Sequence, residues 1–269
     1  MTTLDGKALA QKVKERVRQE AAGLPRRPGL AMVLVGEDPA SHVYVRGKSR
    51  DCEQCGIYSE TYDLPENTTQ TQLLALVEEL NGREDIDGII VELPLPAHLD
   101  ERQVLEAVAP DKDVDCFHPF NAGKLFVGEQ GFLPCTPAGI MELLEEYHID
   151  PAGKRAVVVG RSNIVGKPVA MLLLKKDATV TICHSRTEGL AEICRQADIL
   201  VAAVGKRGVL TADMVKEGAV VIDVAMNRDE DGKLCGDLDH ATTAEKAAYL
   251  SPVPGGVGPM TRAVLMENT

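Results

Sequence analysis

Residues 157–173, VVVGRSNIVGKPVAMLL, carry the reading that decides the fold. Three β-branched residues, Val157 to Val159, run into Gly160, and Gly166 opens a segment whose apolar residues recur at helical spacing. The stretch therefore reads as buried strand, glycine turn and helix. A glycine at the strand end lets the backbone turn and approach a ligand closely, and the N–H groups that open a helix attract anions. Such a turn suits a pyrophosphate. The spacing departs from G-x-G-x-x-G, since Ser162 stands where the middle glycine would be, and an ordinary tight turn is the competing reading.

Outward from this turn the alternation continues. Strand ATVTIC (178–183), helix EGLAEICRQ (188–196), strand ILVAAVG (199–205) and strand AVVIDVA (219–225) follow in the order of a dinucleotide-binding domain. On the N-terminal side we expect helix 3–22, strand 29–35, helix 39–55, strand 57–62, helix 69–81, strand 88–93 and helix 100–109. Asp38-Pro39 is a good helix start and Gly56 a good stop. In the first helix Leu4, Ala8, Leu9, Val13 and Val17 share a side. The fold class is α/β, with two α/β domains, each with a parallel sheet, the C-terminal one Rossmann-like. The first domain is expected over 1–136, with a tail helix 262–269 packing back on it, and the second over 137–261. Residues 110–134 read as a functional loop. Thr136 can cap, and Pro137 begin, a helix that bridges the domains.

The 269 residues are 44% hydrophobic and 26% charged, with no apolar run long enough to cross a bilayer, so the expectation is a globular protein with no membrane partner. The amphipathic N-terminus lacks the apolar centre of a signal peptide. Seven cysteines with no repeating metal spacing fit reduced thiols in the cytoplasm, and Cys52 and Cys55 read as helix packing. A formal net charge of −12 with no concentrated basic surface argues against nucleic acid.

Several side chains stand out. The strand after the glycine turn ends in His184-Ser185-Arg186-Thr187, with no acid to hold ribose hydroxyls, so Arg161, Ser185 and Arg186 can surround a 2′-phosphate and NADP is favoured over NAD. Arg186 as a plain surface charge is the alternative. Tyr44 and Lys48 are four apart on a helix and lie on one face, with Cys52 continuing it. A lysine partly packed inward has a lowered pKa and can carry protons, although most helical lysines are simply solvated. DKDVD (111–115) gathers three acids, as a solvated loop or a metal site; no metal is expected. SPVPGGVGPMT (251–261) is nearly bare of side chains, which points to ligand contact through the main chain. In DGIIVELPLP (87–96) a carboxylate, Glu92, stands at the end of a buried strand.

Together these stretches, with PCTPAGIMELL (134–144) and the terminal TRAVLMENT (261–269), resemble the bifunctional methylenetetrahydrofolate dehydrogenase/methenyltetrahydrofolate cyclohydrolase enzymes over nearly the whole chain. The resemblance implies a homodimer acting on tetrahydrofolate derivatives, with folate in a cleft between the domains and NADP on the C-terminal one. It implies Lys48 as the central catalytic residue, Tyr44 against the pterin, and Asp115 as a bidentate acceptor for the aminopyrimidine edge. The metal reading of DKDVD then recedes. Leu93, Pro254, Gly255 and Gly256 fall on the substrate side; Gly160, Arg161, Ser162, Ser185 and Met226 fall on the cofactor side, Met226 where the family usually has isoleucine. One position departs: Glu92 replaces the glutamine that hydrogen-bonds the lysine. A dehydrogenase with little cyclohydrolase activity is therefore one alternative, and a folate- or nucleotide-binding regulator without turnover is another.

Overall fold

The computed structural model describes residues 1–269, Ala40 by its backbone alone. The chain opens with β1 (Thr2–Thr3) and α1 (Gly6–Ala22), then alternates through β2 (Gly29–Val35), α2 (Pro39–Cys55), β3 (Tyr58–Leu64), α3 (Gln70–Gly82), β4 (Gly88–Val91), α4 (Glu101–Ala107) and α5 (Pro119–Val127). Then come α6 (Cys135–Glu146), β5 (Arg155–Val159), α7 (Gly166–Lys175), β6 (Thr179–Cys183), α8 (Leu190–Cys194), β7 (Ile199–Ala202) and β8 (Val220–Asp223). The hairpin strands β9 (Asn227–Arg228) and β10 (Leu234–Cys235), α9 (His240–Ala244), β11 (Tyr249–Leu250) and α10 (Val257–Asn268) complete it. Two compact units result: a first of residues 11–135 and 262–269, and a second of residues 1–10 and 136–261.

The first unit is built on a parallel sheet of order β3-β2-β4. Every residue of β2 is buried, as a central strand covered on both faces requires, whereas β3 is half exposed along its length as an edge. Val33, Val77, Leu80 and Ile89 meet in the core beneath. Asp38 caps α2 by accepting the Ser41 N–H at 2.9 Å, and Gly56 ends it at φ 75°, where a side chain would be strained. Thr69 and Gln72 close a capping box on α3.

The second unit holds an all-parallel sheet of order β1-β11-β8-β7-β5-β6. From β5 the chain steps first to β6 on one side and then to β7 on the other, so the strand order reverses between β5 and β7, which is where such sheets bind ligands at their carboxyl ends.

The structure corrects several expectations. The first helix begins at Gly6; residues 2 and 3 pair with β11, and the Leu4 N–H donates to Leu250 O at 2.9 Å. On that helix Ala8 is exposed, while Ala10 and Lys14 are buried in its stead. Residues 110–134 are not all loop, because α5 forms there: His118 Nδ1 accepts the Phe120 N–H at 3.0 Å, Pro119 occupies the first turn, and Gly128 stops the helix at φ 82°. Only Asn121 and Leu125 of α5 are buried, too few to print a helical stripe on the sequence. The next helix starts at Cys135, which puts Thr136 inside the first turn rather than at the cap; its hydroxyl meets that of Thr261 at 2.8 Å. Strand β4 ends at Val91, so Glu92 lies just beyond it, although its N–H still reaches Val33 O at 2.9 Å.

Candidate active site

Helix α2 places Tyr44, Lys48 and Cys52 on one face, and exposure falls along it from 36% to 9% to 0%. Burial of this kind is what turns a helical lysine from a solvated charge into a chemical group. Lys48 Nζ lies 2.6 Å from Glu92 Oε1. A second carboxylate joins them because residues 112–116 run beside β4: the Ile89 N–H donates to Lys112 O at 2.8 Å, and Gly88 has no side chain to collide with Val114. Asp115 follows Val114 and is electrostatically coupled to Lys48.

One ammonium thus faces two acids. Burial alone would pull Lys48 down, but the Asp115 and Glu92 carboxylates outweigh it and hold its pKa above the usual lysine value. Burial pushes both Glu92 and Asp115 up, with the Lys48 charge pulling against it. The lysine is therefore an ammonium at neutrality, and its two acids compete for one counter-charge. Of the three acids in DKDVD only Asp115 takes part. Asp113 is a brace, accepting the Phe117 and His118 N–H groups at 3.0 and 2.9 Å and Asn121 Nδ2 at 2.8 Å, while Asp111 is exposed.

Three supports of this cluster have no local signature in the sequence. The Cys135 thiol, kept protonated by burial and by Asp115, donates to Val114 O at 3.4 Å and is hydrogen-bonded with Asp115. Asn268, one residue from the end, donates Nδ2–H to Val114 O at 2.8 Å and Leu133 O at 2.9 Å, clamping the backbone just ahead of Asp115 and just ahead of Cys135. One turn beyond Lys48, buried Asp51 binds Lys14 at 2.9 Å and Arg262 at 3.1 Å. Gly47 lacks the side chain that would overlap the Arg262 guanidinium, so the absence of a Cβ makes room for the arginine. Leu93 continues past Glu92 through a cis Leu93-Pro94 bond.

The second unit carries the remaining expected residues. Gly160 has φ 134°, and a side chain there would overlap Ala203 O; one on Gly166 would overlap Gly160 O. Both glycines are thus required by backbone approaching backbone. Ser162 Oγ closes the turn by accepting the Val165 and Gly166 N–H groups at 3.1 and 3.3 Å. The Gly160 N–H donates to Cys183 O at 2.9 Å, which brings the turn against the 183–186 segment, where Arg161, Ser185 and Arg186 are all exposed. Met226, 44% exposed, follows β8. Pro254, after a cis bond, leads into Gly255 at φ 111°; Gly255 O accepts the Lys7 N–H at 2.9 Å, and Gly6 has no side chain to strike Gly256 O.

Comparison with known proteins decides the family. Residues 4–115 match the catalytic domain of tetrahydrofolate dehydrogenase/cyclohydrolase, and residues 134–269 match its NAD(P)-binding domain. The chain belongs to the tetrahydrofolate dehydrogenase/cyclohydrolase family. It is 60% identical to the bifunctional protein FolD of Moorella thermoacetica over 99% of this chain and 96% of that protein. The structure of the bifunctional FolD enzyme of Campylobacter jejuni superposes with a TM-score of 0.98 at 50% identity, covering 100% of this chain and 96% of the other. That of the Trypanosoma brucei dehydrogenase-cyclohydrolase, complexed with NADP and an inhibitor, gives 0.94 at 40% identity, covering 100% and 95%. Within this family the two α/β units are a catalytic domain and a Rossmann-like NAD(P)-binding domain. No likeness supports a regulator without turnover.

Proposed function

We propose that this family member oxidises 5,10-methylenetetrahydrofolate to the 5,10-methenyl cation with NADP and hydrolyses that cation to 10-formyltetrahydrofolate. The observation that carries the reading is Lys48, buried between Glu92 and Asp115 in a chain that matches both domains of the family. NADP, when bound, accepts the hydride from the one-carbon bridge. The chain's own part in that step is alignment: in the second unit Gly160, Arg161, Ser162, Ser185 and Met226 would hold the cofactor, and in the first Tyr44, Leu93 and Asp115 would hold the folate. Asp115 accepts the aminopyrimidine edge through both oxygens, and Tyr44 packs on the pterin. Hydrolysis adds water to the methenyl carbon, and collapse of the adduct breaks one carbon–nitrogen bond and releases a proton. Lys48 moves protons in that collapse, with Glu92 setting how tightly it holds them.

The donor set fits NADP. The helix-opening glycine turn suits a pyrophosphate, and the segment against it offers Ser185 and Arg186 but no acid before the exposed Glu188. The protein is further proposed to act as a homodimer in the cytoplasm. The dimer is what the resemblance read from the sequence implies, and seven free cysteines, six of them buried, fit a reducing compartment. No helix among the described residues is long and apolar enough to cross a membrane. Purified protein assayed for NADPH formation from the methylene compound, and for loss of the methenyl compound in water, tests the reading. Absence of both activities would refute it.

A further inference from the structure

Behind the cofactor turn lies a buried carboxylate that neither activity accounts for. Asp237 is fully buried, yet its partners are N–H donors rather than a cation: Oδ2 accepts Val204 N–H at 2.7 Å and Gly205 N–H at 3.2 Å, and Oδ1 accepts Lys206 N–H and Asn227 Nδ2–H, each at 2.9 Å. Such a set satisfies a carboxylate in full and fixes every backbone group that takes part. Asp237 is itself anchored from below. Its N–H donates to Asp223 Oδ1 at 2.9 Å, the Leu238 N–H donates to Asp223 Oδ2 at 3.0 Å, and the Asp223 N–H donates to Ser251 Oγ at 2.8 Å. Gly236 leaves room for the Asp223 carboxylate, which a side chain there would overlap. Burial pushes Asp223 up to about 6, the N–H groups of Asp237 and Leu238 holding it back.

The groups fixed by Asp237 sit where a ligand binds. Residues 204–206 leave the carboxyl end of β7, and Asn227 follows the carboxyl end of β8. The turn lies directly beside the dinucleotide turn, because the Ala203 N–H donates to Val159 O at 2.8 Å and Gly160 gives up its side chain to accommodate Ala203 O. This is the crevice at the reversal of strand order, between β5 and β7.

We infer that Asp237 is a positioning residue for the cofactor site, its carboxylate holding the Val204–Lys206 turn and Asn227 in the geometry that NADP requires. The inference rests on the NADP reading above. An amide at 237 keeps the volume but turns an N–H toward N–H donors, so it opens the turn without emptying the core. The test is NADP affinity by titration calorimetry on the full chain, with the KM for the methenyl compound in the hydrolysis assay measured beside it. Asp237→Asn should weaken NADP about ten-fold or more, since unsatisfied buried donors cost on that order, and raise the folate KM by less than about two-fold. Asn227→Ala, which removes one of the four donors, should weaken NADP by about two- to five-fold. A folded Asp237→Asn protein that binds NADP as the wild type does would overturn the proposal, as would an equal loss of NADP and folate affinity, which marks general loosening. Should Asp237→Asn fail to fold, wild-type NADP affinity in Asn227→Ala overturns it. Wild-type protein that does not bind NADP would remove the cofactor reading and the proposal together.

Discussion

At Lys48 the question is which charge wins. Burial favours the neutral amine, and two carboxylates favour the ammonium; the carboxylates prevail, so the free base that the proposed role in hydrolysis calls for is scarce at neutral pH and grows as pH rises. The sign for a variant follows. Glu92→Gln removes one of the two acids that raise Lys48, so the lysine loses its proton at lower pH, and the cyclohydrolase profile should move to lower pH with higher turnover near pH 7. Hydride transfer should change less, because alignment rather than proton transfer governs it. Measuring both rates from about pH 6 to 9 checks this, and superimposable profiles for the two proteins would show that Glu92 has no such role. Arg161 poses a simpler case. Exposed next to Gly160, whose N–H binds Cys183 O, its charge is proposed to serve a 2′-phosphate, so Arg161→Ala should raise the KM for NADP far more than that for NAD. Steady-state kinetics with the two cosubstrates decides it, and equal effects would defeat the idea.

At the scale of elements, α10 does more than pack. Its Asn268 satisfies two backbone carbonyls, Val114 next to Asp115 and Leu133 ahead of Cys135, so Asn268→Ala should cost about 1–3 kcal/mol of stability. Slackening around Asp115 should also raise the folate KM while NADP affinity holds. Denaturant melts and the two binding constants test this, and an unchanged folate KM would reduce the clamp to a structural role. Elements were legible where local chemistry sufficed. Asp38, Pro39 and Gly56 bound α2 to the residue, and the uninterrupted apolar run of β2 marks a strand buried on both faces. They were illegible where distant pairing decides: β1 and β11 have two residues each, too short to show a period, and exist because Thr2 and Thr3 meet Tyr249 and Leu250. Helix α5 hid among loop-forming residues because its buried face is two residues wide.

For the whole molecule, the glycine turn and the alternation of strands and helices pointed to two α/β domains, and the fold supplies one parallel sheet for each. What sequence could not supply was proximity. The resemblance had singled out Asp115, but that it is coupled to Lys48, that Asn268 clamps the loop before Cys135, and that Asp237 braces the turn after β7 depend on residues far apart in the chain. The proposed reading puts the proton chemistry on Lys48 in the first unit, while the second matches the NAD(P)-binding domain. The most direct measurement is therefore hydrolysis of the methenyl compound by Lys48→Met, alongside its NADP affinity. Hydrolysis at the uncatalysed rate with wild-type NADP affinity is the expected result; retention of most of the hydrolytic activity would mean that another group moves the proton and that Lys48 is not the centre of the site.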